Sequence, residues 1–169
     1  MNALNAQGYA FQKNQGSLIE SILESLRYMC HSKAGLAIGS VSKAKVLIAN
    51  TVTYSHANKL LSKTTAEVAF TATTHDIPAN ADAEQEACYL LSLSANGTPT
   101  LTMGTIASGA GNAKLPERVS GLTPIGYVRV VVDAGSTKFD ASTDELDASH
   151  LTVTYVDLGH IHPMVDEEL

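Results

Sequence analysis

Tryptophan is missing altogether, and aromatic residues make up only 5% of the 169 residues. A polar groove lined by exposed rings, as a glycan-binding surface requires, therefore has little material to draw on. Charge is sparse too: Asp, Glu, Lys and Arg reach 17%, against 44% apolar residues. That balance is too apolar for a disordered chain. It is also too weakly charged for a soluble helical enzyme, whose exposed helix faces carry dense Glu, Lys and Arg. Only two cysteines occur, Cys30 and Cys88, without C-x-x-C spacing. This excludes a disulfide framework, and each thiol is expected to fill a core or interface position. No apolar run approaches the roughly 18 residues of a membrane span. The opening Met1 to Gly8 has neither the charged nor the apolar region of a secretory signal, so the expectation is a soluble protein made in the cytoplasm.

What fills the sequence instead is Ala, Ser and Thr set among Val, Leu and Ile, a mixture that suits strands. A chain of this length buries about 70% of its unfolded surface and needs no metal or disulfide staple. The net charge of −6 excludes a generally basic nucleic-acid surface. The charge is unevenly placed. Residues 1–45 hold five Lys or Arg against two Glu, for +3; the remainder holds six against fifteen Asp or Glu, for −9. A mildly basic segment thus precedes an acidic body, which suggests that the two meet different surroundings.

Residues 1–16 are rich in Asn, Gln and Gly, with Tyr9 and Phe11 as isolated anchors, and read as an extended arm. Ser17-Leu18-Ile19-Glu20 fits a capping box. Leu18, Ile19, Ile22, Leu23, Leu26 and Met29 then follow helical spacing, Arg27, His31 and Lys33 suit a helix end, and Gly35 suits the residue after it. The expectation is one short α-helix over 17–33 within a helix-and-linker segment, 17–43. Ile19, Ile22, Leu26 and Met29 keep 3-4-3 spacing, so three copies can pack about an axis, although the stripe is too short to hold a coiled coil alone.

From Val46 the period changes to two. Val46, Ile48, Val52 and Tyr54 share a face, as do Ala66, Val68, Phe70 and Ala72. Tyr89, Leu91 and Leu93 alternate with Leu90, Ser92 and Ser94; the hairpin signal Asn96-Gly97 follows, then Leu101 and Met103. Ile125 to Val132 is apolar on nearly both faces, as in a central strand, and Leu151, Val153 and Tyr155 close the series. Six or seven strands over 44–158 predict a mainly β domain, an antiparallel β-sandwich or jelly-roll-like barrel. Residues 159–169 form an acidic C-terminal tail.

No motif for chemistry is complete. Gly104 to Gly111 is Gly-rich, but Asn112-Ala113-Lys114-Leu115-Pro116 cannot begin the helix of a phosphate-binding loop, so a bulged strand end is the better reading. Ser40-Val41-Ser42-Lys43 and Ser42-Lys43-Ala44-Lys45 match S-x-x-K without its companion motifs. His160 and His162 would share one side of an extended segment, with Asp157 or Asp166 as further ligands, but the set is incomplete. Asp82, Glu84 and Glu86, and Asp140, Asp144, Glu145 and Asp147, lack the EF-hand pattern and read as solvated loops. Asn96-Gly97-Thr98 matches a glycosylation sequon but reads as turn chemistry. The reading is of no enzyme, no cofactor and no metal.

The body also carries Glu86-Ala87-Cys88-Tyr89-Leu90-Leu91-Ser92-Leu93, Asn96-Gly97-Thr98-Pro99-Thr100-Leu101-Thr102-Met103-Gly104, Ala113-Lys114-Leu115-Pro116-Glu117 and Thr123-Pro124-Ile125-Gly126-Tyr127-Val128-Arg129-Val130. Over about 66–132 this resembles virion structural proteins of tailed bacteriophages, especially small capsid decoration (cement) or head-fibre proteins, with Leu-Pro-Glu and Thr-Pro-Ile-Gly-Tyr-Val the most specific parts. The resemblance implies a homotrimer that sits on the capsid surface by an N-terminal arm and stabilises the shell, with the major capsid protein and itself as partners and neither nucleic acid nor membrane. Residues 1–33 lie outside the matched region. Combined with the charge pattern, it makes Tyr9, Phe11, Leu18 and Ile22 the expected capsid-attachment residues, and Ile19, Leu26 and Met29 the expected oligomer interface. The other expectation weighed is a tail-fibre or receptor-binding module that recognises host glycans.

Overall fold

The computed structural model describes residues 26–109 and 111–159. Ten strands follow one another among the described residues: β1 Leu36–Ile38, β2 Lys45–Ile48, β3 Val52–His56, β4 Lys59–Lys63, β5 Ala66–Ala69, β6 Gln85–Leu93, β7 Pro99–Met103, β8 Ala107–Ser108, β9 Thr123–Val132 and β10 Leu151–Asp157. The larger sheet has the order β10-β9-β6-β7, with β8 prolonging the line of β7 along β6; the smaller has the order β1-β2-β5, and β3 and β4 form a hairpin. Every pairing is antiparallel. Strand β1 approaches β10, β3 approaches β9 and β5 approaches β7, so the smaller sheet and the hairpin face the larger sheet as the second layer of a sandwich. No described helix is long and apolar enough to cross a membrane.

The period-two residues make the core between these layers. Val46, Ile48, Val52 and Tyr54 are all buried, and so are Val68, Phe70, Tyr89, Leu91, Leu93, Ile125, Val128 and Val130. Tyr54 spans the layers, its hydroxyl donating to the Ser94 carbonyl (3.0 Å). At one end Phe70 collects three rings edge-on: Tyr89 at 5.0 Å, Phe139 at 5.6 Å and His75 at 6.0 Å. Tyr89 donates its hydroxyl to the His75 carbonyl (2.6 Å), and the Thr71 N–H donates to His75 Nδ1 (2.9 Å).

His75 is 4% exposed, and burial pulls its pKa below the ordinary value; the nearby Asp76 charge opposes this less strongly. Its Nδ1 must stay unprotonated to accept from Thr71. The unfolded chain therefore binds a proton more readily, so stability is full above about pH 6.5, the ordinary histidine value, and falls as pH drops below it. Thermal unfolding recorded from pH 7.5 to 5 is expected to show this fall, and His75→Asn, which keeps an acceptor near the Nδ1 position, is expected to flatten it.

The helix expected over 17–33 does not extend beyond Arg27 among the described residues. Residues 17–25 lie outside the described residues, and helical backbone among the described residues is confined to Leu26 and Arg27. Beyond them the chain is drawn onto β3. Ser55 N–H donates to the Met29 carbonyl (2.7 Å), His31 N–H donates to the Thr53 carbonyl (2.8 Å), and Cys30 bridges Tyr54. Pairing with a neighbouring strand overrides the local helical period here, as tertiary contacts commonly do. Gly35 accordingly is no helix cap; it turns the chain at φ +62° into β1, within the stretch expected to be linker.

Candidate functional site

The most concentrated polar chemistry lies on the outer face of the larger sheet. Strand β6 is buried along its whole length, on both faces. Its inner face, Ala87, Tyr89 and Leu91, enters the core. Its outer face is roofed by the connection between β7 and β9, residues 104–122, which touches it at Glu86 and Cys88.

Glu86 is 1% exposed, in place of the solvated loop carboxylate expected from its acidic neighbours Asp82 and Glu84. Arg129 sits opposite Cys88 in the β6–β9 register, one diagonal step from Glu86 and on the same face. Its Nε donates to Glu86 Oε2 (2.8 Å), and its terminal Nη2 donates to the same oxygen. Gly111 N–H also donates to Oε2 (3.0 Å), and Ala113 N–H donates to Oε1. Burial alone would raise the Glu86 pKa, but the Ala113 and Gly111 donors and the Arg129 guanidinium outweigh it and hold the carboxyl below its usual range. The Gly-rich segment thus does cradle an anion. The anion is the protein's own side chain.

Glycine is required twice in this arrangement. Gly111 takes φ +87°, which turns its N–H toward Glu86. A Cβ on Gly104 would overlap the Lys114 carbonyl and crowd the Cys88 carbonyl, so only glycine lets β7, β6 and the returning loop meet. Cys88 lies beneath Ala113, its thiol raised first by burial and then by the Glu86 charge, so it stays protonated and unreactive. Burial likewise raises the Cys30 thiol. Both are free thiols.

The other carboxylates secure turns. Asp140 accepts from the Ser142 hydroxyl (2.6 Å) and the Lys138 ammonium (2.9 Å), which hold it far below the usual carboxylate range. Asp76 accepts from the Ala141 N–H (2.9 Å), and Asp144 from the Asp140 N–H (2.7 Å). Lys43 of the S-x-x-K match pairs with Asp147 at 2.5 Å, and Glu67 accepts from the Val41 N–H at 2.6 Å. The Ser40 hydroxyl donates to the same Glu67 carboxylate (3.3 Å), so that carboxylate closes the turn over 40–41 together with the Val41 N–H. No group of three or more His, Cys, Asp or Glu converges on a metal position among the described residues.

A second cluster marks the end of the body where residues 1–25 join it. The Tyr28 ring meets His56 edge-on at 5.1 Å and carries the Arg118 guanidinium over its face at 5.0 Å. Thr123 donates its hydroxyl to the Ser55 carbonyl (2.8 Å) nearby, and Leu158 N–H donates to the Ile125 carbonyl (3.0 Å). The segments that meet here leave Leu26, Leu60, Val119 and Leu158 exposed.

Of the residues singled out from the sequence, Tyr9, Phe11, Leu18, Ile19 and Ile22 lie outside the described residues, as do His160 and His162. Leu26 is 48% exposed, while Met29 is half-buried beside β3 and no longer on the helical stripe of Leu26. Glu86 and Arg129 were missed as a pair. The available signal was two opposite charges set inside apolar period-two runs, which strands in register bring together. Comparison of the chain with protein-family models, with curated proteins and with solved structures finds no match.

Proposed function

We propose that this chain is a non-enzymatic structural protein of a phage virion, which binds the outside of the capsid as an oligomer and stabilises the shell. The single observation that carries the reading is how the body spends its reactive groups. Its buried carboxylate Glu86 holds a loop to the sheet, its turn carboxylates hold loop backbone, and its two thiols are buried. Apolar side chains meanwhile stand exposed where residues 1–25 join the body. A rigid body beside a mildly basic, Asn- and Gln-rich segment fits attachment better than turnover. The resemblance of 66–132 to decoration proteins points the same way, and the expected interface of the trimer it implies is Ile19, Leu26 and Met29. Closed symmetry lets one weak attachment segment act several times on one shell.

Immunogold labelling of virions with an antibody to this chain tests the assignment. Gold distributed over the head supports it. Gold confined to the tail tip would replace it with the receptor-binding reading.

A further inference from the structure

Strand β10 closes one side of the larger sheet, and with 7 residues it is the longest edge strand among those described. Its outward-facing backbone groups follow from the ladder. Asp133 N–H donates to the His150 carbonyl and Leu158 N–H to the Ile125 carbonyl, each at 3.0 Å. The register between them is unbroken from Leu151↔Val132 to Asp157↔Gly126. Alternation therefore turns the N–H and C=O of Thr152, Thr154 and Val156 toward β9, and those of Val153, Tyr155 and Asp157 away from it. None of these outward groups has a backbone partner among the described residues.

An open edge of this kind is a template for another strand, and proteins usually blunt it. The opposite edge of the sheet shows such a device in Pro99, at the start of β7. Strand β10 has none: from Leu151 to Val156 it contains no proline and no charge, only Leu, Thr, Val and Tyr, which favour strands. Leu151, Val153 and Tyr155 pack against the core yet remain half-buried, and burial pushes the Tyr155 pKa up to about 12.

We infer that β10 pairs antiparallel with β10 of a second copy, about a two-fold axis through Thr154. The strand is self-complementary in this register. The outward groups of Val153 and Tyr155 lie symmetrically about Thr154, so Val153 of one copy exchanges hydrogen bonds with Tyr155 of the other. On the core side this sets a β-branched side chain beside an aromatic one, a favourable cross-strand pair. On the other side Thr154 meets its own copy, and Thr152 meets Val156. No like charges oppose each other, because Asp157 falls opposite Leu151. The larger sheets of two copies then become one continuous sheet. The pairing stands apart from the virion reading, since it forms in solution without a capsid.

Thr154 is exposed, so its replacement tests the contact without touching the core. In full-length protein, Thr154→Lys or Thr154→Glu alone sets like charges on the axis and is expected to halve the native mass. An equal mixture of the two variants is expected to restore it. Thr154→Cys is expected to give a disulfide-linked dimer on a non-reducing denaturing gel, because directly opposed strand positions without mutual hydrogen bonds lie within disulfide reach. Thr100→Cys, exposed on β7, serves as the control for random collision. Cross-linking no greater than that control, or Lys and Glu variants that keep the wild-type mass, would overturn the pairing and leave the edge to a segment of the same chain or to solvent.

Discussion

Glu86→Ala is expected to destabilise the body by about 3 kcal/mol, the lower end of the range for breaking a buried ion pair. The lower end applies because the Arg129 side chain is 31% exposed and regains water once its partner is gone, whereas Glu86 itself is 1% exposed. The Gly111 and Ala113 N–H groups lose their acceptor as well, so the damage should be felt first in the 104–122 connection. Denaturant unfolding reads the loss as a lower midpoint with an unchanged slope. Hydrogen exchange at Gly111 and Ala113 should accelerate beyond what the global loss explains. Acid should act on the same lock. Because the folded carboxyl has the lower pKa, its contribution is complete above about pH 4.5, the ordinary glutamic acid range, and drains away as pH falls through the folded value. A loss below about 1 kcal/mol, typical of a surface ion pair, would show that the loop is held by something else.

Phe139→Ala is expected to cost more, about 4 kcal/mol, within the range for deleting a fully buried ring. Phe139 is 0% exposed and lies in the long connection between β9 and β10. Its N–H donates to the Ile77 carbonyl (2.9 Å), and the Ile77 N–H donates in return to the Phe139 carbonyl (3.1 Å). The ring thus pins two loops at once and completes the cluster around Phe70. Removing it opens a cavity that neighbouring rings, fixed edge-on, cannot collapse to fill. Since a domain of this size is stable by only about 5–15 kcal/mol, thermal unfolding should move down sharply. Phe139→Leu, which keeps most of the volume, should recover the greater part of the loss.

The fold was legible wherever one physical pattern dominated. Val46, Ile48, Val52 and Tyr54 announced their burial by period two, and Asn96-Gly97 announced the β6–β7 hairpin, where Gly97 takes φ +74°. The central strand β9 and the closing strand β10 lie where the apolar runs indicated. Local pattern failed where a distant partner decided. Residues 29–31 have a helical period but pair with β3, and no local feature reports that a strand is waiting for them. Strand β4 escaped because its turn is Ala57-Asn58, both at positive φ without a glycine. Glu86 escaped for a related reason: its burial is made by a loop that begins eighteen residues later, at Gly104. The Gly-rich run, expected to be a bulged strand end, instead carries the two-residue strand β8, and its Gly111 N–H helps hold a charge supplied from β6.

The most direct test of the account mixes purified full-length protein with undecorated capsids and measures occupancy after sedimentation, beside protein lacking residues 1–16. Saturable binding of the full-length chain, and a truncated chain that keeps its native oligomer but stays in the supernatant, is the predicted result. Full occupancy by the truncated chain would contradict attachment through the arm, and failure of the full-length chain to bind would contradict the virion assignment itself.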